Sequence, residues 1–286
     1  MARLLRAQKT IAREGALSGI GLHTGAACTV RFKPAASGEG IQLLQDGISL
    51  GVVGHGPDRP DVMDSARCTA LGKNGRSIRT VEHVLAALAG LEITNIRVDV
   101  RGPEMPGLDG SAAPFVRFLK ELGLAEQPER AEVYVLKEPV FCSETNKALA
   151  AYPSADFSVS YTLDYDHAGL REQTVQFTLT PGLFEAEIAP ARTFCTARDA
   201  REAVQAGLGR GAGSDSTIVI SEGGTPSRAL HFPDECARHK VLDLVGDLSL
   251  LGFPVAASFI GLRSGHSLNR KMVQEILKQR GSHDGS

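Results

Sequence analysis

Residues 235–251, ECARHKVLDLVGDLSLL, decide how this chain folds. Val241, Leu242, Leu244, Val245 and Leu248 recur at helical spacing and supply apolar contacts. His239, Asp243 and Asp247 stand at i, i+4 and i+8, so on that helix they share one face, one turn apart. An H-x-x-x-D pair can offer an imidazole nitrogen and a carboxylate oxygen to one metal ion. A solvated helix end or a plain His–Asp hydrogen bond fits the same short pattern.

Working outward, the helix is followed by a strand (255–262, VAASFIGL), a loop with glycine (263–267, RSGHS) and a last helix (268–279, LNRKMVQEILKQ). Strands precede it at 132–142, 147–154, 156–166 and 174–180. The first half has the same order. Strand-like runs and glycine turns fill 8–35, and a helix in SIRTVEHVLAALAGL (77–91) carries Val81, Val84, Leu85, Leu88 and Leu91 at three-four spacing. The strand TNIRVDVRG (94–102) comes next, then a helix with Ser111 as its cap and Phe115, Phe118, Leu119 and Leu122 as its stripe. The expected fold is therefore α+β, in two domains of similar topology, 1–127 and 131–286, each with sheets layered against a pair of helices. The polar stretch AEQPER (125–130) closes the first half. A helix and glycine-rich loop near 195–220 read as an insert, of the kind that commonly sits at a binding site. The polar tail, 280–286, is expected to fray.

Composition narrows the function classes. The chain has 286 residues, 42% hydrophobic and 22% charged, with a formal net charge of −2. These are the values of a globular protein, without the basic footprint of a nucleic-acid partner. The N-terminus lacks the apolar core of a signal peptide, and 248–262 is interrupted by Pro254 and too short to span a bilayer. The five cysteines are odd in number and contain no C-x-x-C pair, which argues against a disulfide framework and for a reduced, cytoplasmic setting without membrane insertion.

In the first half, Glu82 and His83 lie side by side at the start of a helix otherwise made of Val, Leu and Ala. His83 as a third ligand would complete a His2Asp set with an open zinc position, and Glu82 would stand near its water as general base. Alternatively Glu82 favours the helix dipole and His83 packs. His266, between Gly265 and Ser267, is presented before the last helix; it could act as a general acid oriented by Asp247, or be a surface histidine. The Thr193 hydroxyl in PARTF could donate to an oxyanion, or belong to an ordinary strand.

Taken in order, GIGLHTG (19–25), RTVEHVLAALAGL (79–91), PEMPGLDGSAAPFVRFL (103–119), ARTF (191–194), RHKVLDLVGDL (238–248) and SGHSLN (264–269) resemble the bacterial UDP-3-O-acyl-N-acetylglucosamine deacetylase family, zinc amidases that begin committed lipid A synthesis. The resemblance spans nearly the whole chain. It implies His83, His239 and Asp243 as zinc ligands, Glu82 as base, His266 as acid supported by Asp247, and Thr193 at the oxyanion. It further implies substrate contacts from Lys240 and Phe194, from Arg263 at the diphosphate, Tyr165 at the nucleotide, and His23 and Cys68 near the site, with the two domains meeting at the active site. The partner is then a UDP-linked acylated amino sugar, bound by a monomer. Arg67 and Cys236 depart from the family pattern, where apolar and aromatic residues are common. Two other readings are a zinc hydrolase of a different amide or ester, and a structural metal site in a lipid- or nucleotide-binding module.

Overall fold

The computed structural model describes residues 4–54 and 56–284. The first half runs β1 (Leu5–Ile11), β2 (Gly15–Ile20), β3 (Ala27–Pro34), β4 (Ile41–Gln45), β5 (Ile48–Val52), β6 (Asp61–Met63), β7 (Ala70–Lys73), β8 (Arg76–Ile78), α1 (Glu82–Gly90), β9 (Ile96–Arg101) and α2 (Ala113–Glu121). It continues through β10 (Leu124–Glu132), β11 (Tyr134–Val135), β12 (Val140–Glu144), β13 (Lys147–Pro153), β14 (Ser158–Leu163) and β15 (Gln173–Thr178). A single turn, α3 (Pro181–Leu183), leads to β16 (Phe194–Thr196), α4 (Ala197–Gln205), β17 (Ile218–Ile220), α5 (Glu235–Leu248), β18 (Val255–Leu262) and α6 (His266–Asp284). The mixed sheets and six helices make this an α+β fold, as the sequence pattern predicts.

Two five-strand paths follow one plan. The first is ordered β2-β3-β9-β4-β5 and the second β12-β13-β18-β14-β15. In each, the strand after the buried helix enters the middle, antiparallel on one side (β9 to β3, β18 to β13) and parallel on the other (β9 to β4, β18 to β14). The parallel pairs need a long crossover, and α1 and α5 lie in those crossovers. α1 packs directly on α5, while α5 also covers β14 and β15, and α6 covers β12 and β13.

Both central helices are buried on nearly every side. Eight of the nine residues of α1 are buried, Glu82 and His83 among them. In α5 only Arg238 and Lys240 are not. The two-faced reading of α5 holds, with its polar residues His239, Asp243 and Asp247 buried and His239 and Asp243 set against His83 of α1. A helix without a solvated face belongs in the interior, where its polar groups must find partners.

Gly246 makes the close crossing possible. A Cβ there would lie 2.2 Å from the Glu82 carbonyl oxygen, so only glycine lets α5 reach the start of α1. Gly246→Ala is expected to cost about 1–3 kcal/mol by overpacking, and to lower turnover further by displacing Glu82. Urea unfolding beside an activity assay checks this, and unchanged values in both would refute it.

Several boundaries differ from the sequence reading. The polar stretch 125–130 lies within β10, which pairs antiparallel with β1, the register shifting between Ala7 and Lys9 of β1. β4 to β8 are short strands absent from the sequence reading, and β5 and β6 lie within the glycine- and proline-rich 46–64 segment. Ser111 does not occupy the assigned cap of α2, but its hydroxyl accepts from Ala113 N at 3.1 Å. α6 opens at His266 itself and continues to Asp284, past the expected end; 285–286 lie outside the described residues. Among the described residues, no helix is long and apolar enough to cross a membrane, and all five cysteines are free.

Candidate active site

The site begins where the chain enters α1. Thr80 has φ +57°, a left-handed backbone that disfavours a β-branched residue. It is held there by Glu104, fully buried, whose carboxylate accepts from Thr80 Oγ1 at 2.7 Å, Thr24 Oγ1 at 2.7 Å, Thr24 N at 2.8 Å and His23 N at 2.9 Å. Glu104 therefore joins the GLHTG turn to Thr80, the residue before the N-cap of α1. The first turn of α1 aims Glu82 and His83 at α5. Sequence reasoning missed Glu104, which stands in PEMPG with no helical or strand period to mark it.

On α5, His239 Nε2 lies 3.4 Å from Asp243 Oδ1, and His83 Nε2 reaches the same oxygen at 3.9 Å. One ligand atom from each of the three residues falls within 4.8 Å of the others. Tetrahedral coordination at 2.0–2.1 Å separates ligand atoms by roughly 3.3 Å, so this set could close on one ion with small movements. The chemistry fits as well. Burial, reinforced by the neighbouring His239, drives His83 down to about 3, and burial lowers His239 also. Both imidazoles are therefore neutral donors. His239 Nδ1 lies 3.0 Å from Ala191 O, to which it donates, leaving Nε2 bare on the Asp243 side. Burial opposes the Asp243 charge, but Lys240 above all, with His239 and His266, holds its carboxyl well below the usual range. Lys240 Nζ occupies Asp243 Oδ2 at 2.7 Å, which leaves Oδ1 for an ion.

Glu82 and His266 flank this triad. His266 Nε2 stands 3.9 Å from Glu82 Oε1 and 4.0 Å from Asp243 Oδ2. Burial, with the Asp243 and Asp247 charges adding to it, pushes Glu82 up to about 8. Burial works against charge on His266, but Asp247 first and Asp243 second outweigh it and lift it to about 9. His266 Nδ1 donates to Asp247 Oδ2 at 2.8 Å. Thr69 and Asn269, neither foreseen, complete this network: Thr69 N donates to Glu82 Oε2 at 3.0 Å, Thr69 Oγ1 to Asp247 Oδ1 at 2.6 Å, and Asn269 Nδ2 to Asp247 Oδ2 at 2.9 Å. So the structure brings together all six polar residues read from the two helices and the SGH segment.

Above them opens a cavity of about 1040 Å³. Its walls include Thr193, Phe194, Tyr165, Lys240, Arg263 and His23. Phe194 stands between two of these features, with ring centroids 6.3 Å from Tyr165 and 6.3 Å from His239. Arg263 bonds Asp164, which keeps its guanidinium at the cavity edge. Cys68 is a correction: it is fully buried, with Sγ 3.0 Å from Ser65 Oγ, and lies outside the cavity lining. Cys236 is likewise buried, in the first turn of α5, its thiol pushed up to about 12 by burial. Arg67 does line the cavity, where its guanidinium pairs with Asp199 and Glu202 of α4 across the opening.

The segment carrying Thr193 is fixed by a buried ion pair. Glu235, fully buried at the start of α5, accepts from Arg192 Nε at 2.7 Å, Arg192 Nη2 at 3.0 Å, Arg192 N at 3.0 Å and His231 N at 2.6 Å. Burial resists the Glu235 charge, yet these bonds hold its carboxyl below its ordinary value. A depressed folded value means stability that is complete above the unfolded value, about 4.3, and is lost as pH falls through the folded one. Arg192→Ala is expected to cost about 3–5 kcal/mol near neutrality and to flatten the acid limb of stability against pH. A variant with the wild-type acid limb would contradict this.

A family model described as UDP-3-O-acyl N-acetylglycosamine deacetylase matches residues 8–278. The UDP-3-O-acyl-N-acetylglucosamine deacetylase of Anaeromyxobacter sp. (strain Fw109-5) is 41% identical over 278 residues, covering 96% of this chain and 90% of that protein. The protein of the same description from Myxococcus xanthus (strain DK1622) is 37% identical, over 94% of this chain and 86% of its own length.

Proposed function

This chain belongs to the UDP-3-O-acyl N-acetylglycosamine deacetylase family, and from that premise we propose that it hydrolyses the N-acetyl group of UDP-3-O-acyl-N-acetylglucosamine to UDP-3-O-acyl-glucosamine and acetate, the committed step of lipid A synthesis. The observation that carries this reading is the meeting of His83, His239 and Asp243 with Glu82 and the His266–Asp247 pair beneath one large cavity. Its free cysteines accord with a cytoplasmic reaction.

We read the chain as two domains, 1–127 and 131–286, whose central helices α1 and α5 form the interface that holds the site. His83, His239 and Asp243 would hold a zinc ion, which when bound supplies Lewis acidity toward the acetyl carbonyl and a lowered pKa for water. Glu82 then has one oxygen pinned by the Thr69 amide and the other, Oε1, turned toward His266 and free to take the proton of the attacking water. Its raised basicity brings that proton exchange near neutrality. Thr193, in the cavity wall, donates its hydroxyl to the developing oxyanion. His266 keeps its Nδ1 on Asp247 and delivers the Nε2 proton to the departing glucosamine nitrogen, so that acetate and the free amine leave together.

The cavity is larger than an amino sugar needs, being at the top of the range for small-molecule sites. Lys240 and Phe194 meet the sugar, Arg263 the diphosphate and Tyr165 the nucleotide. Ala200, Ala203 and Val204 of α4 give the acyl chain an apolar wall. His23 closes the side nearest the insert, where its carbonyl accepts from Arg210 N at 3.2 Å. Acetate release from the UDP-linked substrate and from N-acetylglucosamine tests this assignment. Turnover of the first alone is expected; equal rates on both would point to a less selective amidase.

A further inference from the structure

Thr69 directs its amide and its hydroxyl at the site. Its amide donates to Glu82 Oε2 at 3.0 Å, its carbonyl accepts from Val81 N at 3.1 Å, and its hydroxyl donates to Asp247 Oδ1 at 2.6 Å. The first two partners enter α1; the third is in the last turn of α5. The residue is wholly buried, as is Asp247, so water cannot replace any of these bonds. Asp247 has two oxygens. Oδ2 is taken by His266 Nδ1 at 2.8 Å and Asn269 Nδ2 at 2.9 Å, which leaves Thr69 as the donor to Oδ1. Without that hydroxyl one oxygen of a buried carboxylate stands bare, and rotation about its Cβ–Cγ bond would carry Oδ2 away from the imidazole. The Thr69 oxygen also lies 3.4 Å from His266 Nδ1, but that proton is already committed to Asp247, so the hydroxyl steers the ring through the carboxylate.

We propose that Thr69 is a positioning residue that sets the proton acceptor Glu82 and the proton donor His266 in register, its amide fixing the one and its hydroxyl, through Asp247, fixing the other. The inference rests on the deacetylase reading above. A hydroxyl present only to satisfy a buried carboxylate would affect stability alone; a positioning hydroxyl affects turnover in protein that remains folded.

Thr69→Val removes the hydroxyl and keeps the shape, the amide and the carbonyl. Its expected effect is a fall in kcat of about 10–100-fold, the usual effect of losing an outer-shell partner, with KM and bound zinc unchanged. Thr69→Ser restores the hydroxyl and is expected to recover most of kcat. Because the hydroxyl acts through Asp247, Thr69→Val added to Asp247→Asn should cause little further loss. Wild-type kcat in Thr69→Val, no recovery in Thr69→Ser, or fully multiplicative losses in the double variant would each overturn the proposal. Should Thr69→Val fail to fold, Thr69→Ala against Thr69→Ser gives the same comparison. A wild-type chain that releases no acetate would instead defeat the deacetylase reading itself.

Discussion

Glu82→Gln is expected to lower kcat by about 10²–10⁴-fold, the range for losing a positioned proton acceptor, while KM and bound metal stay at their wild-type values. The substitution is nearly isosteric, and the amide oxygen of glutamine can still accept from Thr69 N, so the side chain keeps its place. What it loses is basicity. The protein raises that basicity by burying Glu82 and setting Asp243 and Asp247 nearby, which is costly for folding unless the group has a use. The variant should therefore melt at or above the wild-type temperature while turning over far more slowly. Steady-state kinetics with metal analysis on one preparation decides it. A kcat within tenfold of wild type would remove Glu82 from the reaction.

The second large effect is expected from His239→Ala, which should lose both its bound metal and its activity. His239 contributes a neutral nitrogen 3.4 Å from the Asp243 oxygen, and its other nitrogen is locked on Ala191 O. Removing it leaves two donors, too few for a zinc site, which takes three protein ligands when catalytic. The Lys240 ammonium, 2.7 Å from Asp243, would then be the principal cation left to that carboxylate. Metal content is expected to fall from about one ion per chain to background, with acetate release falling in parallel. A variant that binds metal as the wild type does would assign the triad a different purpose.

How much of this was legible beforehand follows from the kind of signal each residue gives. His239, Asp243 and Asp247 announce themselves because helical period turns sequence spacing into a shared face. Glu82 and His83 stand out as ionisable groups in an apolar helix. The repeated order of elements also carried through, since both five-strand paths have the same connections. Other features leave no periodic trace. Thr69 meets Asp247 across 178 residues of sequence, and Glu104 meets His23 across 81. Such partners become visible only when the chain has folded. β10 was hidden by its composition, LAEQPERAE, because it pairs as a two-stranded ribbon with β1 and has little apolar face to show. Cys68 is next to the site in sequence, but its neighbour Thr69 turns inward to the Glu82 and Asp247 carboxylates, while the Cys68 thiol turns toward Ser65.

The two-sided origin of the site also explains why Gly246 and Arg192, which take no part in the chemistry, are expected to matter. Gly246 sets how closely α5 approaches Glu82, and the Arg192–Glu235 pair sets the segment that carries Thr193 into β16. Packing therefore has to place groups from distant segments before any of them can act. The cost of building such a buried polar centre is offset by the apolar contacts that α1 and α5 make with each other and with the sheets.

As proposed, this chain releases acetate from UDP-3-O-acyl-N-acetylglucosamine with the help of one ion held by His83, His239 and Asp243. The most direct test is the initial rate of acetate release by a single wild-type preparation: as purified, after chelation and dialysis, and after one equivalent of zinc is returned. Turnover, its loss on chelation, and its recovery with zinc are expected. A rate unchanged by chelation would contradict the proposal.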